Sequence, residues 1–372
     1  MTCLLSKLGT VLLTGATGYL GIHLLTELLR RPDVCDKVIC LARPSKRLDV
    51  ERRIAAQMFY FEAVAVKPYY ESGRCVVLEG DIQNEGLFKE KNDLKIDTVL
   101  NAAANVSHFA YGDILEEVNI GGVRHVIDFA KEQGATLCHV STISVGGLTD
   151  DPHDTRVVAE KNLFVDQLIF NQYIYTKYMA EYYLLRAAVD DGLPVKIFRV
   201  GNLQGRRSDG EFQMNKKSNA FTRQLLSYLK VGAVPRSVYE AQVNFSPIDE
   251  TARNIVALCT AGDDTCVFHV SPKDGAEFKN IFAAFAKNGH PVEVMDDDAF
   301  EDLLTRLRTD KEQYAKIEGL LTERPDTRYV DIPIDVDYSL DTLKALGGGW
   351  LPVTEDYLTL YSTAISELME WM

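Results

Sequence analysis

The sequence predicts a doubly wound α/β fold: a parallel β-sheet covered on both faces, with a smaller, mostly helical region towards the C-terminus. Three observations predict it. Short β-branched, apolar runs alternate with longer amphipathic segments as far as Asn202. The runs are apolar enough to be buried on both faces, as strands of a parallel sheet are. A glycine-rich stretch, Thr14-Gly15-Ala16-Thr17-Gly18-Tyr19-Leu20-Gly21, lies directly between the first run and the first amphipathic segment.

The elements follow in order. Thr10–Thr14 reads as the first strand, and Leu20–Arg30 as a helix with Leu20, Leu24, Leu25, Leu28 and Leu29 on one face. Pro32 ends that helix, and Lys37–Ala42 is the second strand. Ile54–Val66 has a helical pattern; Cys75–Leu78 and Thr98–Ala102 are the third and fourth strands. Val118–Gln133 is a helix, Thr136–Ser141 the fifth strand, Tyr175–Val189 a helix and Val195–Arg199 the sixth strand. Beyond Asn202 the regularity breaks. Gln204–Lys217 reads as a loop, Phe221–Val231 as a helix, and Val243–Phe245 and Val267–Val270 as short strands, before acidic helices at Asp296–Thr309 and Thr354–Met369. The expected division is a nucleotide-binding domain at 1–202, with 243–272 returning to its sheet, and a substrate region at 203–242 and 273–372.

Composition excludes some functions. Forty Lys and Arg against 54 Asp and Glu give a net charge of −14, which speaks against a nucleic-acid binder and, more weakly, against a membrane-surface protein. No run approaches the ~18 apolar residues that cross a bilayer, and no signal peptide is evident. The seven cysteines show no CxxC spacing and several sit in strand-like runs. They read as buried thiols in a reducing compartment, with no metal site expected and the cytoplasm as the default location.

The glycine-rich stretch has the chemistry of a phosphate loop. Gly15 permits a tight turn, Gly18 lets backbone approach a pyrophosphate, and Gly21 lets the helix pack close to the strand. The helix N-terminus, carrying Tyr19 and Leu20, then offers free N–H groups to the anion. The fold is therefore expected to be Rossmann-like and to bind a dinucleotide. At the end of the second strand stands Arg43, where an NAD enzyme carries a carboxylate. A guanidinium binds a ribose 2′-phosphate that a carboxylate would repel, so NADP(H) is the expected cofactor. Lys46, Arg47 and Arg52 behind it read as solvated charges. Asp81, in Gly80-Asp81-Ile82, and Asn101-Ala102-Ala103 fall at carboxyl ends of strands, where such ligands bind. Asp81 is placed to accept from an adenine amino group, and the alanines to lie against the cofactor.

The fifth strand ends in Ser141-Thr142, and Tyr173 and Lys177 follow in a YxxxK spacing that sets them one helical turn apart. An ammonium beside a phenol stabilises the phenolate, and a hydroxyl from the fifth strand orients a carbonyl next to the tyrosine. Together these point to a nicotinamide-dependent oxidoreductase.

These residues resemble the extended short-chain dehydrogenase/reductase superfamily, and within it the thioester reductase domains that end nonribosomal peptide synthetases, carboxylic acid reductases and aminoadipate reductases. The resemblance covers nearly the whole chain. It rests on Thr14–Gly21, the Arg43 region, the long helical segment from Arg43 to Arg74, Gly80-Asp81-Ile82, Val118-Asn119-Ile120-Gly121-Gly122, Val140-Ser141-Thr142-Ile143-Ser144-Val145, Tyr173-xxx-Lys177-xxx-Glu181, Arg199-Val200-Gly201-Asn202 and Phe245-Ser246-Pro247-Ile248-Asp249. It implies that Arg53 is a second phosphate-binding arginine, that Thr142 is the catalytic hydroxyl with Ser141 as the alternative, and that Gly201 and Asn202 lie beside the nicotinamide. Val200 stands where the family commonly has proline, and the chain after about residue 275 matches only in outline. The implied reaction is NADPH-dependent reduction of an acyl or peptidyl thioester on a phosphopantetheinylated carrier protein, giving an aldehyde or, after a second hydride, an alcohol. The expected form is a monomeric domain, free-standing or excised from a synthetase. A free-standing reductase of small carbonyl compounds, a nucleotide-sugar epimerase, a fatty acyl-CoA reductase and a non-catalytic binding module stay open.

Overall fold

A computed structural model describes residues 6–43, 45, 48–86, 94–106, 113–213, 219–262, 265–310, 313–321 and 330–370. Contacts divide the chain into two compact units: 1–201 with 251–271 and 327–349, and 202–250 with 272–326 and 350–372.

The first unit is built on a seven-stranded sheet. Its strands are β1 (Gly9–Thr14), β2 (Cys35–Ala42), β3 (Cys75–Glu79), β4 (Thr98–Asn101), β5 (Thr136–Thr142), β6 (Val195–Val200) and β7 (Cys266–Val270). All neighbours are parallel, in the order 3-2-1-4-5-6-7. The order reverses between β1 and β4, which opens a crevice at the carboxyl ends of those strands. The expected return to the sheet at 243–272 narrows to β7 alone. Ser246–Pro247 pairs instead with Leu203–Gln204 in the second unit, because two-residue strands offer too few bonds to extend a sheet.

Four of the longer helices of this unit are α1 (Tyr19–Arg30), α2 (Val50–Tyr69), α3 (Gly122–Gln133) and α4 (Gln172–Asp191). Two begin earlier than their apolar periodicity, because side chains cap them. Asp49 Oδ1 accepts from Arg52 N–H at 2.7 Å, and Asn171 Oδ1 from Ile174 N–H at 3.1 Å. The second cap brings Tyr173 into the first turn of α4. Gly134 (φ +62°) and Gly192 (φ +68°) end α3 and α4 in the left-handed region. On one side of the sheet a core forms from Leu12, Val99, Leu137 and Ile197 of the strands with Val126, Phe129, Ala180 and Leu184 of α3 and α4. Helix α2 packs on α1 through Phe61, which lies 5.9 Å from the Tyr19 ring and 4.6 Å from His23.

The second unit is mostly helical, with Ala220–Val231, Phe278–Lys287, Asp297–Thr309 and Glu355–Glu370 as its longer helices. Its core is aromatic: Phe245 meets Phe221, Tyr357 and Tyr361 edge-on, and Phe285 packs on Tyr361. The buried hydroxyls of Tyr357 and Tyr361 donate to Gly205 O (2.6 Å) and Gln204 Oε1 (2.9 Å). These bonds tie the start of the expected loop to the final helix; 214–218 lie outside the described residues. No helix among the described residues is long and apolar enough to cross a membrane.

Candidate active site

The glycine-rich segment turns from β1 into α1 as its sequence requires. Gly15 has φ +72°, and a Cβ on it would stand 2.7 Å from the backbone of Ala102. A Cβ on Gly21 would meet Gly15 O at 2.0 Å, so α1 approaches the loop more closely than any side chain permits. Gly18 occupies the N-cap of α1, in extended conformation. Thr14 is fully buried at the end of β1, and Ala102 and Ala103 follow β4 directly across from it.

One arginine reaches this loop and a second stands close behind it. Arg53, on α2, donates from Nη1 to Arg43 O at 2.8 Å and from Nη2 to Thr17 Oγ1 at 3.3 Å. Gln57, one turn on, donates to Thr17 O at 2.8 Å. The Arg43 side chain is 67% exposed and stands 4.0 Å from Asp81, free enough to turn towards a phosphate. Asp81 Oδ1 accepts from Gln83 N–H at 3.0 Å, and Ile82 is buried against Gly122. Arg52 points away and pairs with Asp49; Lys46 and Arg47 lie outside the described residues. The bond from Gln57 escapes sequence reasoning, because nothing local links residues so far apart.

On α4, Lys177 is fully buried and Tyr173 half-buried. Lys177 Nζ donates to Val140 O at 2.6 Å and lies 2.9 Å from His139 Nε2. Burial pulls its ammonium down to about 8, with Glu181 opposing, and pushes the Tyr173 hydroxyl up to about 12. The tyrosine is therefore O–H at neutral pH. Thr176 Oγ1 donates to Tyr173 O at 2.8 Å and accepts from Asn119 Nδ2 at 3.0 Å. Asn119 also holds both the N–H and the carbonyl of Asn105, so one buried amide joins α4 to the chain beyond β4.

The two candidate hydroxyls of β5 differ in surroundings. Ser141 is buried and donates to Glu181 Oε1 at 2.5 Å. Glu181 is in turn gripped by Arg199 through Nε (3.0 Å) and Nη2 (2.8 Å), both side chains being almost wholly buried. Arg199 completes its bonds on Asn162 O (2.8 Å) and His269 Nε2 (3.0 Å). Thr142, the last residue of β5, is half-buried and bonded only locally in what is described, to Ser144 N–H and Oγ at 3.2 Å. Alternation along a strand sets Ser141 with His139 on the face covered by α4 and leaves Thr142 off it. Gly201 follows β6, with its N–H on Val270 O; Asn202 begins the second unit, its N–H on Asn244 Oδ1.

Among the described residues no cluster of His, Cys, Asp and Glu is arranged to hold a metal ion. Cys35, Cys40, Cys138 and Cys259 are buried free thiols, and Cys75 and Cys266 are half-buried ones.

A glycine-rich turn with an arginine bonded to it, and Tyr173 and Lys177 one helical turn apart beside the same sheet, do not by themselves name a family, and comparison with known proteins does. The model of a family of NAD-binding domains described as Male sterility protein matches residues 13–277. The chain belongs to that family. Among curated relatives it is 29% identical to the glycine betaine reductase ATRR of Emericella nidulans over 82% of the chain and 24% of that protein. It is 30% identical to a carboxylic acid reductase of Mycobacterium tuberculosis over 71% of the chain and 24% of that protein. The chain thus spans about a quarter of the length of these relatives. Among solved structures it resembles the thiolation–reductase di-domain of an archaeal non-ribosomal peptide synthetase, at 31% identity and a TM-score of 0.88. That match covers 99% of the chain and 77% of the di-domain. The chain is a reductase-family domain with a nicotinamide-cofactor fold.

Proposed function

We propose that the chain catalyses NADPH-dependent reduction of an acyl or peptidyl thioester held on the phosphopantetheine arm of a carrier protein, with release of an aldehyde. One observation carries this reading: the likeness to a thiolation–reductase di-domain, in which a carrier stands next to the reductase, extends over 99% of the chain. Residues of this chain support the cofactor half. Gly15, Gly18 and the N-terminus of α1, with Thr17, Tyr19 and Leu20, fit a cradle for a pyrophosphate, in a turn so tight that a Cβ on Gly15 would meet the Ala102 backbone. Arg53, which bonds Thr17 of that loop and the Arg43 carbonyl, and the exposed Arg43 guanidinium, once turned from Asp81, fit a 2′-phosphate. Asp81 and Ile82 fit the adenine side; Ala102, Ala103 and Gly201 fit the ribose and nicotinamide side.

The chemistry follows from the protonation states. NADPH supplies the hydride. Tyr173, protonated at neutral pH, and Thr142 donate to the thioester oxygen as it becomes an oxyanion, and Tyr173 gives it its proton. Lys177 holds the nicotinamide ribose and stabilises the resulting phenolate. The hemithioacetal then breaks its C–S bond as its hydroxyl returns a proton to the Tyr173 phenolate, and the departing sulfur takes a proton from solvent to become a thiol. The sum is thioester plus NADPH plus one proton to aldehyde, thiol and NADP⁺.

The test is incubation with NADPH and a panel of aminoacyl- and peptidyl-pantetheine thioesters, with products identified by mass. NADPH oxidation that depends on the thioester and yields aldehyde is the expected result. Conversion of a nucleotide sugar without net NADPH use would replace this reading with an epimerase.

A further inference from the structure

Thr14, Asn101 and His139 stand side by side near the carboxyl ends of β1, β4 and β5. The register pairs Thr14 with Asn101 and Asn101 with His139. All three are polar and fully buried. Such groups persist only when bonded to one another. Here they form a single row. Thr14 Oγ1 lies 2.6 Å from Asn101 Oδ1, Asn101 Nδ2 lies 3.0 Å from His139 Nδ1, and His139 Nε2 lies 2.9 Å from Lys177 Nζ. The Ala103 N–H donates to Thr14 Oγ1 at 3.3 Å. The row therefore begins at the residue before Gly15 and ends on the lysine.

Each inner member, a hydroxyl, a primary amide and a neutral imidazole, can both donate and accept. With Thr14 donating to the amide oxygen, the Asn101 amide donates to His139 Nδ1, and the imidazole carries its proton on Nε2, where it donates to Lys177 as a neutral amine. With Lys177 an ammonium, the polarity is reversed: Nζ donates to Nε2, Nδ1–H donates to the amide oxygen, and the amide N–H donates to Thr14. The two arrangements differ by a half-turn of one amide, a turn of the Thr14 hydroxyl, the imidazole tautomer and a single added proton on Nζ. Val140 O, the other partner of Nζ, only accepts and cannot serve the lone pair of an amine.

We propose that His139 is a positioning residue that holds Lys177 Nζ at one point in both of its charge states, through a reversible hydrogen-bonded row ending at the cofactor loop. An aliphatic residue in its place would hold neither state, and a carboxylate would lock the ammonium. The titratable groups that act on Lys177 are His139 from β5 and Glu181 from its own helix, with Tyr173 one turn away on that helix, and Glu181 is paired with Arg199 of β6. Burial brings the lysine down to about 8, so both states are reached in the range where enzymes work. Burial and then the lysine charge keep the imidazole neutral.

This inference rests on Tyr173 and Lys177 being the reacting pair. It is tested first on the unaltered, cofactor-free protein by ¹⁵N NMR of His139 across the titration of Lys177. The imidazole is expected to change from the Nδ1–H to the Nε2–H tautomer as Lys177 loses its proton. One tautomer throughout overturns the proposal. In variants, His139→Gln sets an amide near the position of Nε2, and His139→Asn sets one near Nδ1, keeping Asn101 but losing Lys177. The Lys177 midpoint and the alkaline limb of kcat are expected to fall together by about one pH unit in His139→Asn and to stay near wild type in His139→Gln. An unmoved midpoint in His139→Asn, or equal shifts in both, overturns the proposal. Tyr173→Phe serves as reference. Its full activity would overturn the catalytic pair and this inference with it, whereas an inactive Tyr173→Phe beside an unmoved His139→Asn removes only the role of His139.

Discussion

Replacing Glu181 by alanine strands a charge in the core of the first unit. Glu181 and Arg199 are almost entirely buried, and the carboxylate accepts from Arg199 Nε and Nη2 and from Ser141 Oγ. Without it, Arg199 keeps only Asn162 O and the imidazole of His269, both neutral. Removing one partner of a buried ion pair costs about 3–5 kcal/mol, because the remaining charge stays desolvated. Against a typical total of ~5–15 kcal/mol, that is a large share of the stability of a folded domain. The assay is urea unfolding followed by far-ultraviolet circular dichroism, with the change in midpoint multiplied by the slope. The double variant Glu181→Leu/Arg199→Met should recover most of the loss, since apolar pairs often replace buried ion pairs without penalty. A loss below about 1 kcal/mol for Glu181→Ala, the size expected of an exposed pair, or a double variant as unstable as the sum of the two single ones, would refute the reasoning.

Other predictions concern cofactor and chemistry. Arg53→Ala should weaken NADPH binding much more than NADH binding, measured by fluorescence titration; equal effects would remove Arg53 from the phosphate site. Tyr173→Phe should lose most thioester reduction while binding NADPH normally, and a wild-type rate would show that another group donates the proton. Because Lys177 works as an ammonium and titrates near 8, kcat/KM should be level below that pH and fall above it; a profile flat to pH 10 would contradict that role. Gly21→Ala places a methyl 2.0 Å from Gly15 O, so α1 must shift from the loop, costing about 1–3 kcal/mol as an overpacked site and weakening NADPH in the same titration. An unchanged affinity would mean that the loop tolerates the shift.

The loop and the Tyr173–Lys177 pair were legible because their geometry is local. A turn between a strand and a helix is specified by glycines a few residues apart, and a helix turn by a spacing of four. Helix starts at Asp49 and Asn171 were missed by periodicity, since a cap contributes a hydrogen bond and no apolar side chain. The different surroundings of Ser141 and Thr142 were not legible, because adjacent strand residues face opposite sides and only the packing of α4 says which side is buried. The narrowing of the returning segment to Cys266–Val270 likewise depended on strand partners that the local pattern around Val243–Phe245 does not reveal.

By itself, then, the sequence determined a parallel sheet with a phosphate loop, an arginine where a carboxylate would select NAD, and a tyrosine and lysine one turn apart. Tertiary structure alone decided what those groups answer to. His139 is an unremarked polar residue in a strand until β1, β4 and β5 align it with Asn101 and Thr14, and Gln57 has no evident role until α2 lays it on the Thr17 carbonyl. The physical reason is range: turn and helix preferences act over a few residues, whereas register and burial are settled only when distant segments meet.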